Sequence, residues 1–448
     1  MENKKTEGFT PPDGGYGWII VLSTTLLNIS VLPLVQCFGI IFEKEFKALG
    51  VTAAETSFML HLHSAIYCSL GLIGSPLLKK YDFRRVALFG TCLMSVGILM
   101  SSFARSYGIL ICTFSILVGI GQGIMLPATY IATNTYFKKR LTLAVSFSVT
   151  GAGISNIFMP QVCYKLAKHL ESAQSTVQIL AAISLVGIVC CFFLKPIKKT
   201  EIKSDAEKCD NKSPKEELEL LSPEEKVYKE TTRPVANETG IFRKIYQLFN
   251  LELLKERAYV VTIIGMSISF ATELNIIVMM SFILPELAGF DLQNVALAMS
   301  IQAIADIIGR LLIPLVGHYS SISPKIMYTS SLTISTVGRT VMANFHSSRS
   351  AIFFCATLIG LAKGIKAVYQ SVIIPKLVPL EKLPAANGLN MLLTGVTTLA
   401  LGPIIGAIHD STKTYVYTLH AASVLSMSCV VLWIVDYFIY GRKENVTS

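Results

Sequence analysis

The chain has 448 residues, 52% of them hydrophobic and only 15% charged, with a formal net charge of +10 and a mean hydropathy of +0.56. Soluble domains carry about 25% charged residues, so this is membrane composition and it sets aside an ordinary soluble enzyme or binding domain. The positive excess collects in loops, which fits membrane topology better than a nucleic-acid surface, so no nucleic-acid partner is expected.

From the N-terminus, Met1 to Pro12 is polar and carries Lys4 and Lys5, and the apolar stretch behind it is too long for a signal-peptide core. The first span is therefore expected to stay in the protein. Asp13-Gly14-Gly15-Tyr16-Gly17-Trp18 directly precedes a run from Trp18 to Phe42 with no charged residue. At 1.5 Å per residue that run crosses a bilayer of about 30 Å, and the Trp18 ring is placed to anchor at the headgroups. Charge-poor runs of about 20 residues then give twelve spans. The first six lie near 18–42, 58–78, 86–104, 108–132, 141–164 and 175–194; the second six lie near 259–284, 294–317, 325–344, 351–374, 385–408 and 415–439. The sequence is thus that of an all-α membrane protein, with six spans on each side of a polar middle. Its expected segments are an N-terminus at 1–17, a six-helix bundle at 18–194, a central loop at 195–257, a second six-helix bundle at 258–440 and a short tail at 441–448.

Charge sets the orientation. Lys79, Lys80, Arg84 and Arg85 lie between spans two and three, Lys138, Lys139 and Arg140 between spans four and five, and Lys195, Lys198 and Lys199 follow span six. The connection between spans seven and eight, with Glu286 and Asp291, has no Lys or Arg. The even-numbered connections and both termini are therefore expected in the cytoplasm. The sequons at Asn237 and Asn445 would then face the cytosol and that at Asn28 would lie inside a span, so no glycosylation is expected. The 200–240 stretch mixes Lys and Glu with little apolar content and is expected to be disordered; residues 241–249 could form an interfacial amphipathic helix. Of the ten cysteines, most lie in or beside apolar segments without a CxxC pair, so they read as packing residues rather than a disulfide or metal framework. No metal site and no cofactor is expected.

Ionised groups inside spans cost at least about 2.5–3.5 kcal/mol each and need a reason. Asp306 and Arg310 fall in the middle of span eight at i, i+4, on one face and close enough to pair. They could simply neutralise each other. Alternatively Arg310 offers a planar fork for a carboxylate, with Asp306 holding it and able to take up a proton. Lys363 lies near the midpoint of span ten, with Lys366 one turn on, and Glu273 in span seven is the candidate charge partner by depth. Lys363 is either snorkelling or paired with Glu273, or it faces substrate. His61 and His63 in span two point about 200° apart and are no metal pair; a polar contact inside the bundle is expected, as for Arg339 and Asn156, although either His could relay protons.

Three of these stretches carry a resemblance. The Asp13–Trp18 motif, the span-eight Asp306/Arg310 pair, and Tyr136-Phe137-Lys138-Lys139-Arg140-Leu141-Thr142-Leu143-Ala144 continuing to Gly151-Ala152-Gly153 are similar to signatures of the monocarboxylate transporter family, solute carrier 16. Leu141 and Ser146 depart from the usual Arg and Gly, and Leu248–Lys255 resembles the re-entry segment of the family's second half. The resemblance implies the major facilitator fold, with twelve transmembrane helices in two six-helix pseudo-repeats. It also implies a non-enzymatic carrier of small monocarboxylate-type anions at the plasma membrane, working by alternating access. It places Arg310 and Asp306 at the substrate site, gives Lys139 and Arg140 a cytoplasmic gate or lipid headgroups, and makes Asp13, Gly14, Gly15 and Trp18 part of the family motif. H+ as co-substrate, membrane lipid and a single-span immunoglobulin-type chaperone are the partners it suggests.

Gln36 stands where proton-coupled members have a lysine, which puts the chain among the insect-like or orphan-type branches. Gln cannot titrate, so proton coupling does not carry over, and Lys363 could replace the missing cation. Branches without that lysine carry aromatic amino acids and other zwitterionic or organic solutes, which is the alternative cargo. A membrane-embedded enzyme lacks any nucleophile–base pairing, HExxH or phosphate loop, and a channel lacks a filter motif. The charge pattern makes one prediction. A tag inserted near Ser213 becomes reachable only after permeabilisation, whereas one near Ala288 is labelled on intact cells; surface labelling at Ser213 would reverse the orientation.

Overall fold

The computed structural model describes residues 14–137, 140–170, 172–195, 251–320, 322–379, 382–436 and 438–439. Asp13, Lys138, Lys139, the 200–240 stretch, the 241–249 helix and the sequons at Asn237 and Asn445 lie outside the described residues. The described residues up to Lys195 and from Glu252 onward belong to one compact unit.

Among the described residues the secondary structure is all helical. Six long helices precede the polar middle: α1 (Tyr16–Leu49), α2 (Ala53–Lys80), α3 (Phe83–Ser101), α4 (Tyr107–Tyr136, wound as a π-helix over Ile111–Val118), α5 (Leu141–Leu170) and α6 (Ala173–Phe193). Six follow it: α7 (Arg257–Ala288), α8 (Leu292–Ser320), α9 (Pro324–Asn344), α10 (Arg349–Leu377), α11 (Leu383–Thr412) and α12 (Tyr415–Asp436). Among the described residues, nine of these are long and apolar enough to cross a membrane; α2, α5 and α9 are not in that group. For α9 the reason is its many Ser and Thr residues together with Arg339, which lower its hydropathy while its polar side faces other helices.

Several helices run about a turn beyond the apolar windows. α2 starts at Ala53 rather than 58 because Thr52 and Glu55 form a reciprocal capping box. α1 and α7 each end on a left-handed glycine, Gly50 at φ 65° and Gly289 at φ 63°, a conformation that costs glycine little and a β-carbon much. Hydropathy marks where the lipid ends; caps mark where the helix ends.

The first six and the last six helices meet along α2 and α11, α5 and α8, and α1 and α7. Gly406 approaches Ala53 and Ala54, Gly402 lies on the His61 ring, and Gly395 sits against Ala65 and Cys68. At the 49–53 end, Asp410 at the C-terminal end of α11 accepts hydrogen bonds from the Ala53 and Ala54 amides of α2 at 3.0 and 2.9 Å. These amides at a helix start have no partner within their own helix, and a carboxylate there also meets the positive end of the helix dipole. His409 hydrogen-bonds Glu286 of α7 at 2.8 Å beside this clasp.

The tightest crossing is between α8 and α10. A β-carbon on Gly360 would collide with the Gln302 carbonyl, and one on Gly364 with the Asp306 carbonyl, while Gly309 would meet the Leu361 carbonyl at 2.7 Å. Gly360 and Gly364 form a small-xxx-small pair that lets the two backbones touch. Gly364→Ala is expected to force the helices apart at a cost of about 1–3 kcal/mol, lowering the unfolding midpoint and folded yield. Gly108→Ala, where nothing lies within 4 Å of the new β-carbon, is the matched control; equal thermal stability of the two variants would refute the packing argument.

Candidate functional site

The α8–α10 crossing brings two charged helices face to face. Asp306 is 3% exposed, and its carboxylate receives Arg310 Nε on Oδ1 at 2.7 Å and Arg310 Nη2 on Oδ2 at 3.0 Å, a bidentate fork. Lys363 Nζ reaches the same Oδ2 at 3.3 Å from α10. Two cations thus share one carboxylate, leaving one net positive charge on this face. Arg310 and Lys363 keep 23% and 18% of their side chains exposed, while Asp306 is enclosed. The anchor is buried and the fork has access.

One turn along α10, Lys366 is 4% exposed and makes an ion pair with Glu273 of α7. Its ammonium also lies 3.3 Å from the Ser269 carbonyl. The depth argument thus picked a lysine partner for Glu273 on α10, but the partner is Lys366 and not Lys363. The physical reason is the α8–α10 contact, which carries Lys363 to Asp306 before it can reach α7. An unpaired charge at such a position would cost several kcal/mol, so the two lysines divide two carboxylates between them.

Arg339 of α9 is 1% exposed and donates from Nη2 to Ser426 at 2.7 Å and to Thr336 at 3.2 Å. It is the polar contact expected of it. His61 likewise donates from Nδ1 to the Ser57 carbonyl at 2.7 Å, and His63 bonds Gln122 at 2.8 Å through Nε2. Ser57 in turn receives Asn275 of α7 at 3.1 Å, so the α2 polar contacts cross to the last six helices.

Gln36 is half-buried on α1, and among the described residues no hydrogen bond or ion pair joins it to the α8–α10 charges. Two sequence motifs, by contrast, meet each other. Gly17 lies under the Phe137 ring, where a β-carbon would come to 2.8 Å, and the Trp18 ring packs edge-on against Phe137 and Phe147 at centroid distances of 5.2 and 5.9 Å. Tyr16 and Tyr136 sit 6.1 Å apart, their hydroxyls donating to the Phe193 and Lys195 carbonyls. Gly14 and Gly15 form the turn before α1, with the Gly14 carbonyl accepting from the Gly17 amide at 3.0 Å. Trp18, half-buried, therefore packs α1 against Phe137 and against Phe147 of α5. Arg140 is exposed at the start of α5. The Gly360–Gly364 pair, which positions Lys363, is a residue pattern the sequence reading passed over; its spacing was the available signal.

A sequence profile of the Major Facilitator Superfamily matches residues 17–316. Monocarboxylate transporter 13 of Rattus norvegicus is 24% identical, the alignment covering 96% of this chain and 91% of that protein. Monocarboxylate transporter 1 of Homo sapiens is also 24% identical, over 98% of this chain and 89% of its own length. Among solved structures, a POT family transporter in complex with a thioalcohol-conjugated peptide superimposes with a TM-score of 0.69 at 12% identity, covering 96% of this chain and 99% of that one. The nucleoside transporter NupG gives 0.66 at 13% identity, with 94% and 99% covered. At these identities the structures speak for the fold.

Proposed function

The chain belongs to the Major Facilitator Superfamily, and from that premise we propose that it carries a small monocarboxylate-type organic anion across the plasma membrane by alternating access. The superfamily is one of transporters rather than enzymes, and the chain is a multi-pass membrane protein similar along nearly all its length to monocarboxylate transporters. The observation that carries the reading is the Asp306–Arg310–Lys363 cluster, with one carboxylate, two cations and a partly exposed fork.

In this reading the substrate carboxylate takes the guanidinium fork of Arg310, which matches it bidentately. Asp306 does not become a stranded charge when the fork turns away, because Lys363 remains on its Oδ2. Charge balance is therefore kept without a proton, in line with a Gln at position 36 where a titratable lysine would couple the two. With both termini cytoplasmic, the 49–53 end is the outer one. The Asp410 clasp on α2 then closes the outer mouth, and the transport cycle has to release it.

Cargo of the aromatic amino acid or zwitterionic type is the second reading, favoured by Gln36. The surplus positive charge on the α8–α10 face speaks for a net anion instead.

Arg310→Lys keeps the charge but loses the fork. Uptake per surface molecule is expected to fall about tenfold or more, the loss of charged hydrogen bonds worth about 1.5–3 kcal/mol. Lys363→Gln should likewise remove most anion uptake, and adding Gln36→Lys should restore part of it with a steeper dependence on external pH. Radiolabelled uptake of monocarboxylates and aromatic amino acids at two external pH values, normalised to surface protein, checks this. Near-normal transport by Arg310→Lys would reduce the pair to a structural role, and Lys363→Met transporting normally per surface molecule would do the same for Lys363.

A further inference from the structure

The clasp at the 49–53 end holds a titratable group that the proposed transport does not use. His409, at the C-terminal end of α11, turns Nε2 to Glu286 of α7, 2.8 Å from Oε1 and 3.0 Å from Oε2. Its other nitrogen, Nδ1, is buried without a hydrogen bond and lies 3.5 Å from Asp410 Oδ1. That same oxygen accepts the Ala53 amide of α2, and Oδ2 accepts the Ala54 amide. The Tyr415 ring of α12 stacks on the imidazole, with centroids 4.0 Å apart. One imidazole thus links α7 to the carboxylate that holds the start of α2.

The proton on His409 decides whether this link holds. A neutral imidazole has one N–H and one lone pair, so it serves one carboxylate and turns a lone pair on the other. The imidazolium donates from both nitrogens and offsets one of the two negative charges, and the face of the Tyr415 ring favours a cation. Among the described residues, the other charged groups around this point are engaged elsewhere. Glu43 and Lys47 of α1 line the adjoining cavity of about 290 Å³ and pair with each other at 2.8 Å, while Glu55 of α2 is turned back onto Thr52. Protons have access, since the side chains of His409 and Glu286 are 14% and 44% exposed. Histidine at its ordinary affinity changes charge between about pH 5 and 8.

We propose that His409 is a proton-operated latch on the outer mouth, closing the Asp410 clasp when it is protonated and freeing it when it is not. Protonated, the ring holds α11 against Glu286 and keeps Asp410 aimed at the α2 amides. When the proton leaves, one nitrogen presents its lone pair to a carboxylate, the end of α11 moves off, and Asp410 releases Ala53 and Ala54. The closed state therefore holds one proton more than the open state. The ratio of closed to open then falls by up to about tenfold for each unit of rising pH across the titration. The latch rests on the proposed cycle, in which this clasp is the outer gate: acid outside keeps the mouth shut. It acts apart from the Asp306–Arg310–Lys363 cluster that takes the cargo.

Amide hydrogen exchange reads the clasp directly and needs no cargo. Full-length protein in lipid nanodiscs is exchanged from about pH 5 to 8. Mass spectrometry follows the protection of the Ala53 and Ala54 amides, corrected for the intrinsic pH dependence of exchange. Protection in the unsubstituted protein should fall at least about tenfold over this range. His409→Gln cannot take up the proton and should show low protection at every pH. His409→Lys carries a fixed charge and should show high protection throughout. Glu286→Gln, at an exposed position that the fold does not depend on, removes one carboxylate and should move the loss of protection to lower pH. Protection that does not change with pH overturns the proposal. A pH dependence retained in His409→Gln, or an unmoved profile in Glu286→Gln, overturns it equally. A titrating clasp together with uptake that ignores external pH would support the latch and reject the outward placement of this end in the transport reading.

Discussion

Ionised side chains inside a low-dielectric helix bundle must be compensated where they stand, and this constraint organises the last six helices. Asp306 is served by Arg310 and Lys363, and Glu273 by Lys366. Each pairing except the one within α8 joins different helices, so electrostatics fixes how α7, α8 and α10 lie against one another. Removing one partner of such a buried pair typically costs about 3–5 kcal/mol. The same pairs that could receive an anion are thus also the staples of the bundle.

That arrangement depends in turn on close backbone approach. Lys363 reaches Asp306 because Gly360 and Gly364 let α10 settle onto α8 at Gln302 and Asp306. In lipid there is little hydrophobic drive to press helices together, so small residues and polar contacts supply the association. The glycines at 395, 402 and 406 of α11 do the same along α2, where the first and last six helices meet.

The two ends of the first six helices use different physics. At one end, Gly17 and Trp18 fold under Phe137 and Phe147, an apolar clasp between segments distant in sequence. At the other, Asp410 caps the exposed amides of α2, and His409 bridges to Glu286. A carboxylate contact on a helix start can be made and broken without exposing apolar surface. Parting the aromatic rings would expose apolar surface.

Composition and the spacing of charge-poor runs determined the membrane class, the helical fold and nearly every helix position, because each span must satisfy its own backbone and face lipid by itself. The Asp306–Arg310 pair was legible for the same reason: its i, i+4 spacing lies within one helix. Helix ends were less legible, since the Thr52 capping box and the Gly50 and Gly289 caps extend helices past the apolar window. What only the tertiary structure decided was every pairing between helices. It gave Lys363 to Asp306 and Lys366 to Glu273, set Trp18 against Phe137, and joined Arg339 of α9 to Ser426 of α12. Depth in the membrane orders residues along one axis only; which neighbours a side chain meets depends on helix rotation and crossing, and those are set by glycine contacts between segments far apart in the chain.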